Sequence, residues 1–150
     1  MGILKLLHLL SIVIWVGGMF FAYMVLRPSA AEVLQPPERL QLWNKVFSQF
    51  FTWVWIAVIL IMATGFMMIH QFGGMNLVPS YIHAMLLLGT LMISIFAYVY
   101  FVPYSSFKRA VNSTEWQSAA AELATIRKLV ATNLFLGVLT MAVVELSRYL

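Results

Sequence analysis

The chain has 150 residues, of which 63% are hydrophobic and 9% charged, with no aspartate and no cysteine. A soluble domain carries about 25% charged residues, so this composition cannot cover a water-facing surface and specifies an integral membrane protein. The missing cysteines exclude disulfides, zinc–thiolate centres and thiol catalysis, and the net charge of +4 is small and confined to the segments between apolar runs. It reads as a topology signal, and nucleic acid is not an expected partner.

Four stretches are long and apolar enough to cross roughly 30 Å of hydrocarbon, which takes about 20 helical residues. They cover about residues 3–26, 47–70, 80–102 and 128–148. The first exceeds the roughly 7–15 apolar residues of a signal-peptide core and carries Trp15, Gly17 and Gly18 in mid-span, so it is expected as a retained helix. Pro36-Pro37-Glu38 places proline and acid where a helix begins, and the helix is expected to run from Arg39 through Phe47 into the second span. The segment Gln71 to Ser80 is rich in turn residues and makes spans two and three antiparallel neighbours. Thr114 and Gln117 fit a capping box, opening a helix over Glu115 to Ile126 that merges with the fourth span. The expected fold is all-α, an up-down four-helix membrane bundle forming one four-span domain over residues 1–150.

Basic residues set the orientation. Arg27, Arg39, Lys45, Lys108, Arg109, Arg127 and Lys128 fall between spans one and two or between three and four, against Lys5 and Arg148 on the opposite side. Under the positive-inside rule, the longer loops face the cytoplasm of a bacterial inner membrane. Both termini and the Gln71–Ser80 loop then face the periplasm.

That topology brings the three histidines, His8, His70 and His83, to one membrane level. Ionisable side chains inside a bilayer are costly and usually serve a site. Residues three, four and seven apart share a helix face. His8, Ser11, Trp15, Gly18 and Ala22 line one stripe of the first span. His83, Thr90, Ser94 and Ala97 line one of the third, and Asn133, Gly137 and Thr140 one of the fourth. Small and weakly polar residues mark helix contacts in membranes, so His8 and His83 are expected to point into the bundle. Helices one and three of such a bundle lie diagonally, on the order of 12–14 Å apart for neighbours about 8–10 Å apart. That gap suits a flat haem b with one imidazole on each face. His8 and His83 are the expected axial ligands, and His70 an alternative ligand or a propionate contact. Lys5 is a propionate partner, while Ser11, Trp15 and Gly18 shape the pocket. Trp15 equally suits a core filler. Two imidazoles leave no open iron position, which favours electron transfer. Trp43, Trp53, Trp55, Tyr98, Tyr100, Tyr104 and Tyr149 read as interface belts and lipid-facing packing. Copper competes for the same residues, because thioether and imidazole suit Cu(I). Met1, Met67, Met68, Met75 and Met85 fall near the histidine level, so Met75, Met85 and His70 form an alternative copper set. A cofactor-free assembly subunit is a third class. No carboxylate lies in mid-span, Glu145 being near the end of the fourth, which argues against a relay of buried acids.

The first span, with Lys5-Leu-Leu-His8 followed by Trp15 and Gly18, resembles the small four-span proteins grouped around the CopD copper-resistance domain and the HemJ-type protoporphyrinogen oxidases. Arg27-Pro28, Tyr81-Ile-His83-Ala and Asn133-Leu-Phe-Leu-Gly137 are similar to family segments at the end of span one and in spans three and four. The resemblance implies haem b on the first-span histidine in the HemJ branch, and copper handling across the inner membrane in the CopD branch. It departs from the HemJ pattern at Met85, where a lysine is usual, and lacks that branch's Asn-Glu-x-Pro segment. Protoporphyrinogen oxidation is therefore not carried over, and whether the chain is an enzyme is left open. Beyond the lipid bilayer, the partners that fit are a second copy of the chain or a redox protein.

Overall fold

A computed structural model describes every residue except Arg148 and Leu150. The basic Arg148 of the orientation argument and the last residue of the fourth expected span therefore lie outside the described residues. The chain forms α1 (Gly2–Val33), α2 (Pro36–Gln71), α3 (Ser80–Phe101), α4 (Pro103–Asn112) and α5 (Trp116–Leu146). Four helices, with α3 and α4 taken together, are long and apolar enough to cross a membrane. A lipid-spanning backbone must satisfy its hydrogen bonds internally, and helices do so.

The helix starts and stops follow local chemistry. α2 begins where Glu38 Oε2 accepts the Gln35 backbone N–H at 3.1 Å, with prolines in the first turn, where a missing N–H costs nothing. It ends in a turn with Gly73 and Gly74 at φ 99° and 102°, a region favouring glycine. α1 continues past Arg27-Pro28 to Val33 instead of stopping near Leu26. Wide π-type turns at Val13–Gly17 and Ala22–Leu26 interrupt it, the second just ahead of Pro28. There the proline ring would otherwise crowd the carbonyl four residues back. The expected capping box at Thr114 does not form. Thr114 adopts φ 56°, its hydroxyl donates to the Ser113 carbonyl at 2.7 Å, and Glu115 occupies the cap position of α5. The Lys108-Arg109 segment is helix α4, not loop.

The first part of α1 packs along α2, and α3 and α4 pack along α5. All neighbours run antiparallel. The start of α1, the end of α5 and the 72–79 turn lie at one end, called here the histidine end; the 34–35 and 113–115 connections lie at the other, the basic end. The chain break at Val102 (φ −111°, ψ −82°) lets Pro103 open α4 and brings Tyr104 and Phe107 over the core. Phe47 and Phe51 stack at 5.0 Å. Tyr104 meets Phe51 edge-on at 4.9 Å, and Phe107 meets Phe47 at 5.8 Å. Trp43 and Tyr104 are therefore core residues, 6% and 5% exposed, and not interface belts. Trp53 and Tyr98 do face outward. Aromatic pairs of this kind add about 0.5–1.5 kcal/mol beyond the area they bury. That matters where lipid offers apolar faces little reward for leaving it.

The core is asymmetric along the bundle. In α3 the buried residues are Met92, Phe96 and Val99; in α5 they are Ala119, Ile126, Asn133 and Gly137. The histidine-end half of α3 contributes no buried residue, and α5 contributes none beyond Gly137. There, α1 and α2 pair closely while α3 and α5 are left open.

Candidate functional site

The stripe expected on α1 forms over its first part: His8, Ser11 and Trp15 are buried. Beyond the π turn at Val13–Gly17, Met19 is buried instead, and the expected Gly18 and Ala22 are half-buried. The His8 ring lies against α2. Its Nδ1 is 2.9 Å from Thr64 Oγ1. The Thr64 hydroxyl has one hydrogen, and its shortest contact is the Leu60 carbonyl at 2.5 Å. Thr64 Oγ1 therefore donates to Leu60 and accepts from His8, which places the imidazole proton on Nδ1. Nε2 is left with its lone pair. This is the arrangement that metal-binding histidines use, the second ring nitrogen being tied to a protein oxygen. Gly65 lies beside the ring, where an added Cβ would make an ordinary contact 3.6 Å from His8 Cε1. One helical turn beyond Thr64 on the same face stands Met68, half-buried.

The other expected residues are placed differently. His83 is exposed on α3, as are Thr90 and Ser94. These two hydroxyls donate to their own helix, at the Leu86 and Thr90 carbonyls. Met92, Phe96 and Val99 take the buried face. The expectation that His83 points into the bundle is thus corrected. His70 is exposed at the end of α2, Met75 is 38% exposed in the turn, and Met85 is half-buried on α3. Lys5 is exposed. The Ser11 hydroxyl donates to Leu7 O at 2.8 Å. Trp15 is a core filler, edge-on to Phe96 at 6.1 Å. The space that Gly18 frees is filled by the Phe50 ring, whose Cζ would lie 2.7 Å from an added Cβ. The arrangement thus lends no support to a haem between His8 and His83. Among the described residues no group of three or more His, Cys, Asp or Glu stands ready to hold a metal. Any copper site here would rest on imidazole with thioether, ligands suited to Cu(I).

The α5 stripe forms as expected. Asn133 Nδ2 donates to the Met92 carbonyl at 3.1 Å. Gly137 meets α1 and α3, since an added Cβ would lie 2.9 Å from Val16 Cγ2 and 3.2 Å from Met92 Cε. Thr64 and Gly65 were not anticipated as site residues. A threonine–glycine pair inside an apolar run is the signal for a close helix contact.

These features define a multi-pass helical membrane protein with a buried histidine hydrogen-bonded to Thr64 at one end of the bundle. Residues 44–146 match the family described as Copper resistance protein D, and the chain belongs to that CopD family. The match begins inside α2, so His8 and all of α1 lie outside the matched segment. No curated protein and no solved structure matches the chain.

Proposed function

We propose that the chain takes part in copper handling at the membrane, receiving Cu(I) as cargo at the histidine end of the bundle. Membership of the copper resistance protein D family supports the metal. The observation that supports His8 as the imidazole donor is its hydrogen-bond chain through Thr64 to Leu60, which frees Nε2. Met68, one turn beyond Thr64, is the nearest thioether position along that face of α2. His70, Met75 and Met85 form a more exposed donor set at the same end and suit a first contact with incoming metal. In this reading the basic end faces the cytoplasm of the inner membrane, and both termini, with the copper-receiving end, face outward.

The test is a Cu(I) competition titration of the purified protein against a chromophoric chelator under reducing conditions. His8→Ala is expected to lower affinity about tenfold or more, and Met75→Leu with His70→Ala to remove a weaker site. Unchanged titrations for both variants, with folding intact, overturn the reading. A reduced-minus-oxidised b-type spectrum abolished by His8→Ala or His83→Ala would replace copper with haem.

A further inference from the structure

At the basic end, α1, α2 and α5 enclose an open cleft of about 440 Å³, within the range of about 300–1,000 Å³ typical of ligand pockets. Each helix contributes one arginine to its lining: Arg27, Arg39 and Arg127. No aspartate or glutamate lines it. The deeper wall is apolar and aromatic, with Leu40, Trp43, Phe47, Phe50 and Trp116 among its residues. Arg27 is held by its own helix, its guanidinium lying 4.6 Å from the centre of the Tyr23 ring, and Tyr23 also lines the cleft. The remaining basic residues of this end, Lys45, Lys108, Arg109 and Lys128, do not line it. Three of this end's four arginines therefore line one cleft, while Arg109 and the lysines lie elsewhere. That separation is more specific than the general excess of positive charge that sets topology.

Arginine presents a planar fork of donors matched to phosphate oxygens. A phosphate-binding rim over an apolar floor fits an amphiphile with an anionic head and a hydrocarbon tail. Basic pockets between membrane helices bind acidic lipid head groups on this principle. We propose that the cleft between α1, α2 and α5 is a binding site for an anionic phospholipid of the adjoining leaflet, its phosphate held by Arg27, Arg39 and Arg127. The lipid would tie the start of α2 and the start of α5 to the end of α1. This proposal is independent of the copper reading, since it concerns the opposite end of the bundle.

Native mass spectrometry of the full chain, with phosphatidylglycerol and phosphatidylcholine titrated in detergent, tests it. The wild type is expected to keep one phosphatidylglycerol under conditions that strip phosphatidylcholine. Arg39→Gln with Arg127→Gln should weaken phosphatidylglycerol about tenfold or more. Lys45→Gln with Lys128→Gln, an equal charge change at the same end, should alter it less than about twofold. Ala120→Trp, which fills the cleft and keeps every charge, should also remove the preference. Circular dichroism and size-exclusion profiles confirm that each variant is folded. Equal binding of the two lipids, equal loss in both charge pairs, or an unaffected Ala120→Trp overturns the proposal. So does displacement of phosphatidylglycerol by inorganic phosphate or ATP at comparable concentration, which would assign the cleft to a soluble anion.

Discussion

His8 and Thr64 stand 56 positions apart in the chain, yet His8 Nδ1 lies 2.9 Å from Thr64 Oγ1. The threonine hydroxyl donates within its own helix, to the Leu60 carbonyl, which leaves its oxygen to accept from an Nδ1–H. Thr64→Val removes the hydroxyl oxygen that meets the His8 ring; Thr64→Ser keeps it. We expect Thr64→Val to lower Cu(I) affinity about tenfold and to cost about 1–3 kcal/mol in stability. Thr64→Ser should retain most of both. Cu(I) titration and thermal unfolding in detergent check the pair; equal behaviour of the two variants would remove Thr64 from the site.

Glycines at helix contacts should separate into two groups. Gly18 and Gly137 face Phe50 and Val16 closely enough that a Cβ must displace them, and overpacking of this kind costs about 1–3 kcal/mol. Gly17 and Gly89 have nothing within 4 Å of an added Cβ. Alanine there should be neutral or stabilising by up to about 1 kcal/mol through helix propensity. Melting temperatures of the four single alanine variants decide the matter.

The Asn133–Met92 hydrogen bond is expected to be a modest contributor. Interhelical hydrogen bonds in membranes average about 0.6 kcal/mol, and Asn133 Oδ1 is buried without a partner, which offsets part of the gain. Asn133→Ala should therefore cost about 1 kcal/mol or less beyond the volume it removes. Equilibrium unfolding in mixed micelles measures it, and a loss of several kcal/mol would show that Asn133 holds more than this bond.

Aromatic packing should dominate instead. Phe107 is 0% exposed and Phe51 3%, whereas Trp53 is 57% exposed. Phe107→Ala and Phe51→Ala are expected to cost about 3–5 kcal/mol, with Trp53→Ala much less. Unfolding curves for the three variants give the ranking.

Much of the fold was legible because apolar length and basic-residue placement act locally. The spans, the early start of α2 at Pro36, the turn at Gly73-Gly74, the α5 contact stripe and the first part of the α1 stripe, His8 to Trp15, all follow from spacing and residue type. The failures share a cause. Trp43 and Tyr104 read as belt residues in sequence, because a sequence does not reveal that the helix kinks at Val102 and lays Tyr104 and Phe107 against the core. His83 was read as facing inward, because Thr90 and Ser94 on its stripe look like contact residues. Larger side chains, Met92, Phe96 and Val99, occupy the interface instead.

The sequence by itself determined that this chain lives in a membrane as four helices, and which end of the bundle carries most of its positive charge. Hydrophobic length and charge bias are additive along the chain and need no partner to be read. Only the tertiary structure decided which polar side chains meet. It joined His8 to Thr64 and turned His83 outward. It also gathered Arg27, Arg39 and Arg127 from three helices around one cleft. Those outcomes depend on helix rotation and on where π turns and breaks shift the register, and neither is specified by local pattern.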